Sequence, residues 1–250
     1  MSESARMWME ISFNIAYLIV IYELVIAMWR RLPQTDAGKR PLLRLFILAF
    51  GLLALGDTGH VGFRVWAYAQ GTLDSQITLL GRELGLVGLG ALATAFTVTL
   101  FYVVMLGVWQ ERFQKPYGWL GLFLAGTAVI RLIIMVFPAN EWNNSVPPQP
   151  WSLYRNLPLI VQGLGVAYLI LRDARQTNDR TFSGVGIYIL LSYAFYLPVI
   201  LLVQQYPLVG MLMIPKTLAY VAIAWLGYRE FATPVFTATQ KPQKAVFPGR

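Results

Sequence analysis

Seven long apolar runs, separated by short polar connections, follow one another along most of the chain. A run of about 18–25 apolar residues can cross the hydrocarbon core of a bilayer as an α-helix. The predicted spans cover approximately residues 9–29, 43–66, 79–108, 117–137, 154–171, 184–204 and 207–228. The pattern predicts an all-α polytopic membrane protein, with a seven-helix transmembrane domain over residues 1–230 and a disordered tail over residues 231–250.

The composition supports the membrane class and excludes several kinds of site. Of the 250 residues, 57% are hydrophobic and only 13% are charged, whereas about a quarter of the residues of a soluble domain are charged. The chain has no cysteine and a single histidine, His60. Thiolate sites and sites with two histidine ligands are therefore excluded, and we expect no haem, iron–sulfur cluster or metal site.

The basic residues predict the orientation of the spans. Five lie in the first connection, two in the third, three in the fifth and four in the tail, so 14 of the 20 share one side. Basic residues collect in cytoplasmic loops. We therefore expect a multi-pass protein of the cell membrane with its N-terminus outside and its C-terminus in the cytoplasm. The basic residues of the cytoplasmic loops then account for the net charge of +8, and we expect the lipid bilayer, and no nucleic acid, as a partner.

Several polar residues fall within or at the rim of the predicted spans. The candidate site residues are Asp57, His60, Arg64, Arg82, Glu83, Arg131, Arg155, Gln162 and Lys216. On the second span, Asp57, His60 and Arg64 follow Leu53 at spacings of four, three and four, which places them on one face of a helix. A charge that faces lipid costs about 2.5–3.5 kcal/mol. The pattern therefore predicts that these groups line a polar cavity that opens to the outside.

The charges of this set predict the kind of ligand. Five basic side chains against Asp57 and Glu83 leave three uncompensated positive charges, and such a cavity attracts an anion. We expect a small anionic or amphipathic ligand, bound through a carboxylate, a phosphate or a lipid headgroup by a sensor or receptor. Because no output domain is recognisable after the seventh span, signalling would need a separate cytoplasmic partner.

Other functions remain open at this stage. A membrane enzyme acting on a lipid or lipid-linked substrate would use His60 or Glu83 as its general acid or base, although no catalytic spacing accompanies them. Pro198 and Pro215, which are predicted to kink the last two helices, would suit a small transporter. An ion pair between Asp57 and Lys216 would only hold two helices together.

The last span, LVGMLMIPKTLAYVAIAWLGY, contains Lys216. Seven spans, an outer N-terminus and a lysine in the last helix are similar in plan to the retinal-binding rhodopsins. The resemblance implies a retinal Schiff base on Lys216, with Glu83 or Asp57 as the counterion. The chain departs from the microbial pattern at Leu212, where those proteins carry an aspartate four residues before the lysine.

Overall fold

Seven α-helices make up most of the described part of the chain. The computed structural model describes residues 3–79 and 81–232, with the side chains of these residues except 3–6, 79 and 82. The helices are α1 (Glu3–Arg31), α2 (Arg40–Ala69), α3 (Leu86–Phe113), α4 (Gly118–Val136), α5 (Trp151–Gln176), α6 (Arg180–Leu202) and α7 (Met213–Ala232). Seven helical segments are long and apolar enough to cross a membrane, which agrees with the predicted fold class. Residues 233–250, the greater part of the predicted tail, lie outside the described residues.

The predicted start of the third span is wrong. Residues 79 and 82–85, expected at the beginning of a helix, belong to an antiparallel hairpin of strands β1 (Gln76–Leu79) and β2 (Arg82–Gly85). Gly81, in the turn, has a φ of +74°, which glycine adopts without steric strain. A short apolar run does not distinguish a strand from the first turns of a helix. The helix α3 begins only at Leu86.

The expected interruption of the seventh helix by Pro215 is also corrected. A 3-10 helix over Pro207–Leu212 leads directly into α7, whose first residue is Met213. Pro215 thus lies in the first turn of α7, where a helix tolerates proline. Lys216 follows it at the same end of the helix. Pro198, by contrast, lies inside α6 as expected.

The helices form a closed arrangement in which each contacts the next in the chain and α7 returns to pack on α1. We call the end that carries β1 and β2 the hairpin end, and the opposite end, where α7 finishes, the tail end. Aromatic rings fill the tail half: Phe46 packs against the rings of Phe50, Phe182 and Phe231. The hairpin half is not filled in this way, and the cavity described below occupies it.

Polar contacts tie the helices together at the tail end. The fully buried carboxylate of Asp173 accepts hydrogen bonds from Trp109 Nε1 at 2.8 Å, Lys115 Nζ at 2.9 Å and Arg172 Nε at 2.8 Å. These contacts join α5 to α3 and to the connection after α3. A network that satisfies a buried carboxylate so completely fixes the positions of the elements that supply its donors.

Candidate ligand-binding cavity

A cavity of about 430 Å³ lies among the helices at the hairpin end. All seven helices contribute to its wall, as does the connection between α4 and α5. This volume is within the range of about 300–1,000 Å³ that is typical of small-molecule sites. The cavity extends from Gln149 and Gln204, outside the helices, to Tyr17 and Tyr220 near the middle of the bundle.

The face of α2 that was predicted from residue spacing lines this cavity. Leu53, Asp57, His60 and Arg64 all contribute to the wall, because residues three and four apart lie above one another on a helix. Nδ1 of His60 is buried and has no hydrogen-bond partner among the described residues. The residues that the sequence pattern places on one face of α2 thus lie together on one side of the cavity.

Two carboxylates on this side, Asp57 of α2 and Glu10 of α1, connect α2 to neighbouring helices. Asp57 accepts hydrogen bonds from the hydroxyl of Tyr17 at 2.7 Å and from that of Thr94 at 3.1 Å. Glu10 forms an ion pair with Arg64, with 3.3 Å between Oε2 and Nη2. The proposed direct ion pair between Asp57 and Lys216 is not formed. Instead, the carboxylate oxygens of Asp57 accept hydrogen bonds from hydroxyl groups of two neighbouring helices.

Lys216 extends into the cavity from the first turn of α7. Its ammonium nitrogen lies 4.7 Å from the centre of the Tyr196 ring and 5.4 Å from that of Tyr220. Aromatic faces attract a cation but do not neutralise it. No described carboxylate lies within 4 Å of this ammonium group.

Arg131, on α4, is 2% exposed and is held by neutral acceptors. Its Nε donates to the carbonyl of Arg155 at 2.9 Å, and Nη1 donates to the carbonyl of Ala95 at 3.0 Å and the hydroxyl of Thr99 at 2.6 Å. These bonds fix the guanidinium between α3 and α5. They leave its charge without a partner of opposite sign among the described residues.

Arg155, on α5, is also buried and is covered by an aromatic ring. Its guanidinium carbon lies 4.1 Å from the centre of the Trp142 ring. One terminal nitrogen, Nη1, is buried and has no hydrogen-bond partner in the described part of the chain. A buried donor without a partner is costly, so a ligand oxygen that accepted from it would be well placed.

Two predicted residues, Glu83 and Gln162, do not line the cavity as the sequence suggested. Glu83 is exposed on β2, away from the cavity wall, because the hairpin replaces the expected helix turn. Gln162 is fully buried on α5 but does not line the cavity; it lies seven residues, or about 10 Å, further along the helix than Arg155. The side chain of Arg82 lies outside the described residues.

Sequence reasoning missed several residues of the wall. Glu10, Asn14 and Tyr17 line the cavity from α1 at spacings of four and three, the same signal that identified the face of α2. Thr94, on α3, gave no such signal, because an isolated threonine in an apolar helix is common. Trp142 lies outside the predicted spans and was not among the candidates, but its ring lies on Arg155.

The connection between α4 and α5 covers part of the cavity and is fastened on both sides. The indole nitrogen of Trp142 donates to the carbonyl of Met135 at 2.9 Å. Asn143 Nδ2 donates to the carbonyl of Glu83 at 3.2 Å, and Gln204 Nε2 donates to the carbonyl of Pro147 at 2.7 Å. The hairpin and the end of α6 therefore hold this connection in place over Arg155.

Charge compensation within the cavity is incomplete. Arg64 is paired with Glu10, which leaves Arg131, Arg155 and Lys216 facing the single carboxylate of Asp57. Among the described side chains, and counting His60 as neutral, three cations against one carboxylate give two uncompensated positive charges. Comparison with known proteins adds no further assignment, since no family model, no curated protein and no solved structure matches the chain.

Proposed function

We propose that the protein binds a small anionic or amphipathic ligand in the cavity at its hairpin end and acts as a sensor or receptor-like membrane module. One observation carries the proposal: Arg131, Arg155 and Lys216, from three different helices, line one cavity, and no described carboxylate lies within 4 Å of them. Isolated charges are expensive to bury. An anion bound among the three cations would compensate them.

The rest of the wall favours a ligand that also has an apolar part. Val98, Leu159, Ile200 and Ile214 line the same cavity as the cations. A site of this composition binds the apolar body of a ligand by burial and orients its charged group by hydrogen bonds. Because α6 and α7 both contribute to the wall, a ligand with different affinities for two arrangements of these helices would shift the equilibrium between them.

Replacing Arg155 with glutamine is expected to weaken anion binding by roughly tenfold to a hundredfold, because it removes a positive charge whose Nη1 has no acceptor among the described residues. Decanoate, phenyl phosphate and dioctanoyl phosphatidic acid serve as probes, and each is titrated against protein in a nonionic detergent while the unfolding temperature is recorded. At least one probe should raise the unfolding temperature of the wild type. A higher concentration of that probe should be needed for the same rise in Arg155→Gln.

The matched control is Arg175→Gln. Arg175 is an exposed arginine on the same helix at the tail end, so its replacement should leave the titration curves unchanged. A wild-type protein that no probe stabilises would contradict the proposed function. So would equal losses of affinity in the two variants.

We further propose that the hairpin end faces the outside of the cell and the tail end faces the cytoplasm. Eleven basic residues of the described part lie at the tail end, which is the distribution expected for a cytoplasmic side. They are Arg30, Arg31, Lys39, Arg40, Arg44, Arg112, Lys115, Arg172, Arg175, Arg180 and Arg229. By contrast, the turn between α2 and β1 and the turn of the hairpin contain no lysine or arginine.

Single-cysteine labelling tests this orientation, since the chain has no cysteine of its own. Thr78→Cys places a thiol on the exposed side of β1, and Gly38→Cys places one at the tail end, where nothing lies within 4 Å of an added Cβ. A membrane-impermeant maleimide applied to intact cells should label the first variant and reach the second only after lysis. The reverse pattern would mean that the orientation is inverted.

A further inference from the structure

The uncompensated charge of the cavity sets the charge of the ligand that fits it best. Arg131, Arg155 and Lys216 face one carboxylate, that of Asp57, and Arg64 is paired with Glu10. Binding a single negative charge would leave one cation uncompensated in a poorly solvated site, whereas two negative charges would compensate all three cations together with Asp57.

We propose that the cavity selects a dianionic phosphate monoester over a monoanion of the same shape. This inference rests on the proposed function and names its ligand class. Arginine and lysine are the usual partners of phosphate oxygens in proteins. A phosphate monoester presents three terminal oxygens and, since its second pKa is about 6, carries close to two negative charges at pH 8.

The available donors suit such a group. Nη1 of Arg155 has no hydrogen-bond partner among the described residues, and the ammonium group of Lys216 donates to none of them. Nη2 of Arg131 is not used in that side chain's bonds to α3 and α5. Three helices therefore each place a cationic side chain in the cavity wall. The Trp142 ring stacked on Arg155 adds an aromatic surface for the apolar part of the ester.

The phosphate monoester could belong to a soluble metabolite or to a lipid headgroup. Both present the same dianion to the cations. Only the lipid also carries acyl chains, which would have to remain in the bilayer or between the helices. The two sources are therefore separate arms of one experiment.

Phenyl phosphate and phenyl sulfate test the charge dependence directly. They have nearly the same shape, but at pH 8 the first is a dianion and the second a monoanion. In calorimetric titrations of the detergent-solubilised protein, phenyl phosphate should bind at least about tenfold more tightly, because a second unit charge close to two uncompensated cations adds a large Coulomb attraction. Equal affinities, or tighter binding of phenyl sulfate, would overturn the inference.

The variant Lys216→Met removes one positive charge with little change in volume. One uncompensated charge then remains, and the preference for phenyl phosphate should fall to within about threefold of parity. Lys39→Met is the matched control, since Lys39 is exposed at the tail end, and it should keep the wild-type preference. If Lys216→Met does not fold, Arg155→Gln makes the same change in charge. An unaltered preference in the folded variant would overturn the assignment.

The lipid arm compares dioctanoyl phosphatidic acid, a monoester, with dioctanoyl phosphatidylglycerol, a monoanionic diester. Selective binding of the monoester lipid with no binding of phenyl phosphate would support the dianion and identify a lipid source; selective binding of phenyl phosphate alone would identify a soluble one. If decanoate binds and no phosphate monoester does, the inference fails and the proposed function stands. If no anion binds, the proposed function itself fails.

Discussion

Replacing Asp173 with asparagine is expected to lower the free energy of unfolding by about 2–3 kcal/mol. The carboxylate is fully buried and accepts from Trp109, Lys115 and Arg172. Breaking a buried ion pair costs about 3–5 kcal/mol, and we reduce this figure because the side chains of Lys115 and Arg172 are 41% and 37% exposed and can turn to solvent. Denaturant unfolding in detergent micelles measures the loss.

Asp36→Asn controls for the charge change. Asp36 is exposed at the tail end and makes no side-chain capping bond, so its replacement should change the unfolding free energy by no more than about 0.5 kcal/mol. Equal stability of the two variants would mean that the bonds around Asp173 add little to the packing of the tail half. Retained anion affinity in Asp173→Asn would show that the cavity does not depend on this network.

The seven helices and one side of the cavity could be predicted from the sequence because both depend on local periodicity. An apolar run long enough to cross a bilayer becomes a helix in almost any context. The face of α2 with Asp57, His60 and Arg64 needed only the geometry of one helix, and all three residues line the cavity. Such patterns do not depend on which helices are neighbours.

Contacts between distant segments could not be predicted in this way. The hydroxyls of Tyr17 and Thr94 contact Asp57 from two other helices, although these residues are 40 and 37 positions from Asp57 in the sequence. Their presence explains why Asp57 does not need Lys216 as a direct partner. At Glu83 the hairpin likewise contacts a segment distant in sequence, since Asn143 Nδ2 donates to the carbonyl of Glu83 at 3.2 Å.

The close approach of the α4–α5 connection to α3 leads to the second large effect, expected in Gly88→Ala. A Cβ added at Gly88 would overlap the backbone carbonyl oxygen of Trp142, and backbone cannot turn aside as a side chain can. We expect a loss of about 1–3 kcal/mol in unfolding free energy, as for other overpacked sites.

The same substitution should also weaken anion binding, because a displaced Trp142 no longer covers Arg155. Hydrogen exchange of residues 137–150 should become faster, and the affinity for phenyl phosphate should fall several-fold. Gly62→Ala, on α2, is the matched control: nothing lies within 4 Å of its added Cβ, and alanine favours a helix by up to about 1 kcal/mol. If Gly88→Ala behaves like Gly62→Ala in all three measurements, the connection is not seated on α3 as described, and the covering of Arg155 by Trp142 does not contribute to the site.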